Sequence, residues 1–126
     1  MCGRFEFNLG DPYMESIFNE LQKRYNYDGL HPGEIFPSEK VPALVMKNGN
    51  VTTELLTWGY DKFNEKGVII NARSETVTEK PMFRRDFFER RCLLPSSGFY
   101  EWSPEKRKYL FSRPDGKPVF LGGFYK

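Results

Sequence analysis

The sequence predicts a strand-rich α+β fold, and three observations carry that prediction. Short apolar stretches separated by turn residues recur along the chain, as strands and hairpins require. Helical spacing is confined to two segments, near residues 11–27 and 79–91. Strands and helices do not alternate in the βαβ pattern of a parallel sheet.

The elements follow in order. Asp11-Pro12 reads as a helix start, with Asp as the cap and Pro at the first helical position. Met14, Ile17, Phe18 and Leu21 then fall on one face by i, i+3, i+4, i+7 spacing, and the helix should end between residues 24 and 27. Residues 28–40 hold Gly29, Pro32, Gly33 and Pro37 and are expected to be irregular. Residues 41–46 and 51–58 read as strands joined at Asn48-Gly49, a hairpin signal. A polar loop over 59–67 and a short buried strand at 68–70 come next. A short helix is expected from Pro81, with Phe83, Phe87 and Phe88 facing the core. Residues 92–94 and 98–102 look like strands, and strands at 109–112 and 119–125 flank the turn Arg113-Pro114-Asp115-Gly116. The last of these is apolar and sits at a sheet edge, so further sequence is expected to follow it.

Bulk properties narrow the classes. A chain of 126 residues supports one domain with a modest core. A net charge of +2 does not by itself point to a polyanion, so charge would have to cluster to matter. Aromatic content of 17% supplies either a dense core or stacking surfaces for bases. No apolar run reaches the roughly 20 residues of a membrane span, and no signal-peptide stretch opens the chain. The reading is therefore cytoplasmic, with Cys2 and Cys92 as reduced thiols. Two Cys and one His do not make a cysteine-rich zinc site.

Chemistry concentrates in a few places. Removal of Met1 would leave Cys2 with a free α-amine beside its thiol. An α-amine of pKa about 7.7–8.0 is partly neutral near pH 7 and condenses with an aldehyde to an imine. The thiol can then close a five-membered thiazolidine on the same carbon, which no internal Cys can do. The alternative is an incidental small residue. In Asn71-Ala72-Arg73-Ser74-Glu75-Thr76, Arg73 can fork onto a phosphate, or simply pair with Glu75 in a solvated turn. In Gly98-Phe99-Tyr100-Glu101-Trp102, alternation puts Phe99 and Glu101 on one face and Tyr100 and Trp102 on the other. Glu101 among large aromatics suits proton shuttling if desolvated, or else points outward from an edge strand. The stretch from Arg84 to Arg91, with Arg4, Arg73 and Lys106-Arg107-Lys108, can line a phosphate groove or be a mixed-charge surface. His31 reads as a polar loop residue and Cys92 as a buried thiol.

In their order along the chain, these segments resemble the SRAP (SOS response-associated peptidase) family. The residues that carry the resemblance are Met1-Cys2-Gly3-Arg4-Phe5, Trp58-Gly59-Tyr60, Asn71 through Thr76, Phe83-Arg84, Arg91-Cys92-Leu93-Leu94-Pro95 and Gly98 through Trp102. The resemblance covers essentially the whole chain. It implies a mixed-sheet or open barrel-like SRAP fold, with residues 1–126 as the N-terminal portion of one domain. It implies that Cys2 forms a thiazolidine cross-link with the ring-opened sugar of an abasic site. Asn71 would position the N-terminus and the sugar, and Glu101 would move protons. Arg4 and Arg73 would hold DNA phosphates; Pro32-Gly33 would lie near the lesion, and Arg84 would join the DNA surface. The expected partner is single-stranded or junction DNA with abasic sites, bound by a monomer in the cytoplasm, or at the nucleoid if the source is prokaryotic.

Family members are also described as peptidases that remove an N-terminal extension, and lyase chemistry goes with the cross-link. Here Cys2 follows Met1 directly, so no long propeptide is expected. The family's catalytic His lies in a downstream His-x-Arg-Met-Pro stretch, beyond residue 126, and His31 does not match it. Phe63 is the one aromatic offered where relatives carry a DNA wedge. Two other classes remain open at this point. An N-terminal-nucleophile amidohydrolase, as in glutamine amidotransferases, would show glutaminase activity without DNA. A non-catalytic DNA-binding remnant would bind DNA without forming an adduct.

Overall fold

Alternation within a four-residue strand starts the fold. In β1 (Arg4–Phe7), Phe5 and Phe7 are fully buried while Arg4 and Glu6 are half-buried on the opposite face. Burying each Phe contributes roughly 2–3 kcal/mol of transfer free energy. The computed structural model describes residues 2–126. Met1, and with it the expected removal of that residue, lies outside the described residues.

The remaining elements are α1 (Pro12–Tyr25), β2 (Gly33–Ile35), β3 (Lys40–Lys47), β4 (Asn50–Thr57), β5 (Tyr60–Asp61) and β6 (Val68–Ile69). They are followed by α2 (Pro81–Glu89), β7 (Arg91–Ser96), β8 (Gly98–Trp102), β9 (Lys108–Phe111) and β10 (Val119–Phe124). One sheet has the order β2-β1-β8-β9, a second has β10-β7-β3-β4, and β5 and β6 form a ribbon. The pairs among these strands are antiparallel, and neither four-stranded sheet closes into a barrel. The strand-rich α+β expectation holds in this open form.

Asp11 caps α1 as expected, its carboxylate accepting from the amides of Tyr13 and Met14. Met14, Ile17 and Leu21 bury the apolar face against Phe5, Phe7, Ile35 and Val41, which form the main core. The β3–β4 hairpin turns through Asn48 and Gly49, both at positive φ. That is the conformation for which Asn-Gly is selected. Gly98 is required for another reason: a Cβ there would stand 2.5 Å from the Phe111 carbonyl oxygen of β9.

Three local expectations change. Residues 28–40 are not wholly irregular, because Gly33–Ile35 pairs with β1 as β2. Phe88 is 63% exposed, and Asp86 takes the inward place beside Phe83 on α2. The strands flanking Arg113-Pro114-Asp115-Gly116 do not pair with each other: β9 joins β8, and β10 joins β7. Among the described residues, no helix is long and apolar enough to cross a membrane.

Candidate functional site

The first and second halves of the chain meet at Cys2. The Asn71 side-chain amide donates to the Cys2 carbonyl oxygen at 2.8 Å, across 69 residues of sequence. The half-buried Cys2 thiol donates to the Arg4 carbonyl at 3.0 Å, curling the chain as it enters β1. Burial, and after it the charge of Glu101, push that thiol above its ordinary range. Glu101 is half-buried on β8, which lies between β1 and β9 and is therefore not an edge strand. The outward edge-strand alternative for Glu101 is thereby removed.

Cys2 and Asn71 line a cleft of about 790 Å³ that runs between Trp58 and β10. Its apolar lining includes Phe83, Phe87, Phe124 and Cys92. Burial pushes the Cys92 thiol up to about 11, consistent with a core thiol rather than a nucleophile. Trp58 braces the Cys2 side of the cleft. Its indole donates to the Ile70 carbonyl at 3.4 Å, and its ring lies 5.2 Å from that of Phe5.

The arginines divide. Arg73 is exposed and lines a shallow depression with Asn71 and Lys80. The alternative Arg73–Glu75 pair does not form; Arg73 has no ion-pair partner among the described residues. Its carbonyl instead accepts from Thr76 and Val77, closing the turn. Arg4 ion-pairs with Glu34 at 3.5 Å, and its guanidinium lies 4.3 Å from the Phe36 ring centroid. Pro32 is exposed at the entrance to β2, and its carbonyl is held by the His31 ring at 3.0 Å. Arg84 is exposed on α2, and its amide donates to the carbonyl of Lys80 at 2.9 Å, beside the depression that Arg73 lines.

The basic run on α2 is largely tied down. Arg85 pairs with Glu89 at 2.9 Å, and Arg90 pairs with buried Asp86, its Nε at 2.8 Å. Arg91 donates to the Gly123 carbonyl and stacks over Phe87. Arg85 and Arg90 thus fasten the helix, while Arg91, at the start of β7, also lines the cleft. Phe63, in contrast, stands 84% exposed in the loop between β5 and β6. Glu34 and Phe36 carry no motif. Their only sequence signal is the alternation Gly33-Glu34-Ile35-Phe36 around inward Ile35.

The family model described as SOS response associated peptidase (SRAP) matches residues 1–126. The chain is 34% identical over 116 residues to the abasic site processing protein YoaM of Bacillus subtilis, covering 81% of this chain and 47% of that protein. It is 28% identical over 128 residues to the abasic site processing protein YedK of Escherichia coli, covering 96% and 58%. The chain spans about half the length of the curated relatives it matches. Among solved structures, a phage-related protein of Bordetella bronchiseptica superposes with a TM-score of 0.69 at 20% identity, covering 98% of this chain and 60% of that one. A second Bordetella bronchiseptica protein gives 0.67 at 19%. At that identity the likeness speaks for the fold.

Proposed function

The chain belongs to the SRAP family, and from that premise we propose that it captures abasic sites in single-stranded DNA covalently through Cys2. Once Met1 is removed, the Cys2 α-amine condenses with the aldehyde of the ring-opened sugar, releasing water and forming an imine. The thiol sulfur then adds to the imine carbon while its proton passes to the former imine nitrogen. The product is a thiazolidine. Asn71 holds the Cys2 carbonyl and so fixes the direction of the aminothiol. Glu101 shuttles protons during sugar opening and ring closure. Arg73 and Arg4 take flanking phosphates, with Arg84 further along the strand. Pro32 borders the lesion, and Phe63 is the wedge. The chemistry of these residues needs no metal or cofactor.

The observation that carries the reading is the 2.8 Å bond from Asn71 to Cys2. It joins the two segments that the chemistry requires at the mouth of a cleft. The names of the relatives, abasic site processing proteins, agree with it. The peptidase and lyase activities associated with the family would use the same aminothiol.

The test is incubation of the purified chain with an abasic single-stranded oligonucleotide, followed by denaturing electrophoresis. A heat-stable adduct is expected, and Cys2→Ala should lose it by at least about 100-fold, since no other residue offers an aminothiol. An adduct that persists in Cys2→Ala would overturn the assignment. Binding without any adduct in the unaltered chain would leave a DNA-binding module instead. Glutamine hydrolysis without DNA would favour the amidohydrolase class.

A further inference from the structure

The outer face of the β2-β1-β8-β9 sheet has an unusual composition. Strand register puts Arg4, Glu6, Glu34, Tyr100, Trp102 and Lys108 on that face, while Phe5, Ile35 and Phe99 point into the core. A solvated face of an antiparallel sheet normally carries scattered polar residues. Here cations interleave with rings. The Arg4 guanidinium lies 4.3 Å from the Phe36 centroid and 5.3 Å from that of Trp102. The Lys108 ammonium lies 4.3 Å from Tyr100 and 5.8 Å from Trp102. Phe36 and Trp102 each keep 40% of their surface open. Open rings beside cations are what a single nucleic-acid strand uses, bases on the rings and phosphates on the charges.

Two carboxylates offset this. Glu6 accepts from the Tyr100 hydroxyl at 3.0 Å. Glu34 is different, because one of its oxygens reaches both cations: Oε1 lies 2.5 Å from Lys108 Nζ and 3.5 Å from Arg4 Nη1. Lys108 first, and Arg4 after it, hold the Glu34 carboxyl below the usual range, so it stays charged at neutral pH. A single anionic oxygen between two cations is the position a backbone phosphate would occupy. Lys108 is 39% exposed and Arg4 35%, so these pairs are screened and displaceable.

We infer that this face is a stacking-and-phosphate platform for single-stranded DNA, and that Glu34 occupies its anion position in the free protein. The inference rests on the proposed function for its choice of ligand. Rings stack on any base, so the platform tolerates any sequence. Glu34 sets a low affinity for undamaged strands, because a phosphate must displace it before reaching Arg4 and Lys108.

Fluorescence anisotropy with an undamaged, labelled single-stranded oligonucleotide across a KCl series tests this. Glu34→Gln should bind about three- to ten-fold tighter at low salt. Its log–log salt slope should steepen by about 0.7 to 1.4, because one or two cations become free to release counterions at about 0.7 per contact. Trp102→Ala should weaken binding without moving the slope, since stacking releases no counterions. Lys108→Ala should weaken binding and shrink the gain from Glu34→Gln. Unchanged or weaker binding by Glu34→Gln overturns the inference. So does a gain that survives intact in Lys108→Ala, which would be a general charge effect. Adduct formation by the unaltered chain is scored separately. Its failure beside a tighter Glu34→Gln removes the cross-linking reading alone, and the reverse outcome removes the platform alone.

Discussion

At the scale of single residues, the tension in the site lies between Cys2 and Glu101. Burial first, then the Glu101 charge, raise the Cys2 thiol above its ordinary range. At neutral pH the thiol is therefore mostly protonated, and the amine leads the attack on an aldehyde. Ring closure then needs the thiol proton removed. Removing the Glu101 charge should lower the thiol pKa. In a Cys92→Ala background, where Cys2 is the one thiol left, the midpoint of iodoacetamide alkylation against pH should move down in Glu101→Gln. An unmoved midpoint would refute the coupling. The same variant should still form adduct more slowly, since its proton shuttle is gone. Thiol reactivity and cross-linking rate would then change in opposite directions, which a purely structural role would not produce.

Not all of this was readable from the residues. The aminothiol chemistry of Cys2 follows from its position and side chain alone. Asn71 carries no local signal for its role, and the aromatics around Glu101 left proton shuttling and an outward edge position equally open. Their meeting with Cys2 depends on contacts 69 and more residues apart, which periodicity does not encode. The resemblance supplied the role of Asn71 and chose between the two readings of Glu101. Arg73 shows the opposite lesson: adjacent opposite charges invited a pair with Glu75 that the turn through Thr76 and Val77 does not make.

At the scale of elements, local signals were decisive where they existed. The α1 cap, its Pro and its 3.6-residue spacing are all contained in one stretch, as is the Asn48-Gly49 turn. Strands β1 and β2 have no such signal. Gly33–Ile35 sits among Gly and Pro and becomes a strand because Phe7, Glu6 and Phe5 offer it a partner. On α2, counting aromatics predicted three inward rings, whereas the inward place went to Asp86. The reason is a closed polar cluster. Tyr60 donates to Asp86 at 2.5 Å, Arg90 bonds the other oxygen, and Arg90 also reaches the Tyr125 carbonyl at 3.2 Å. Burial would raise the Asp86 carboxyl, but Tyr60 and Arg90 together hold it low. Its stabilisation is therefore present above the unfolded carboxylate pKa of about 3.9 and lost as pH falls through the lower folded value. Asp86→Asn should cost about 2–4 kcal/mol at pH 7 in urea unfolding, because it removes the buried charge partner of Arg90 and leaves it only the exposed Glu89 at 3.8 Å. A loss under about 0.5 kcal/mol would mean the cluster merely accompanies packing of Phe83 against Tyr60 and Phe124.

At the scale of the whole molecule, three stretches join the two large sheets among the described residues: 36–39 after β2, Ser97 between β7 and β8, and 112–118 between β9 and β10. Which strands share a sheet was not legible, because β9 and β10 flank a turn that looks like a hairpin and yet go to different sheets. The stretch after β2 is fastened by a few polar contacts. Glu39 accepts from the Phe36 amide at 2.9 Å through its carboxylate, and its carbonyl accepts from the Trp58 amide. His31 closes the loop, with Nε2 3.1 Å from Glu39 Oε1 and Nδ1 3.0 Å from the Pro32 carbonyl.

Both partners of the His31 ring are acceptors, and a neutral imidazole has one N–H to give. Only the imidazolium satisfies both contacts. The Pro32 carbonyl first, and then Glu39, accordingly raise the His31 pKa above its ordinary value. A folded pKa above the unfolded one gives stability that is fully present below about pH 6.5, the unfolded value. That stability is lost as pH rises through the folded value. His31 is 43% exposed, so screening keeps the effect small, on the order of one or two degrees in melting temperature. The melting temperature should therefore fall between about pH 6 and pH 8. His31→Gln, which keeps one donor and cannot titrate, should flatten that part of the profile. A wild-type profile already flat across this window would show that the stretch around β2 does not depend on the charge of His31.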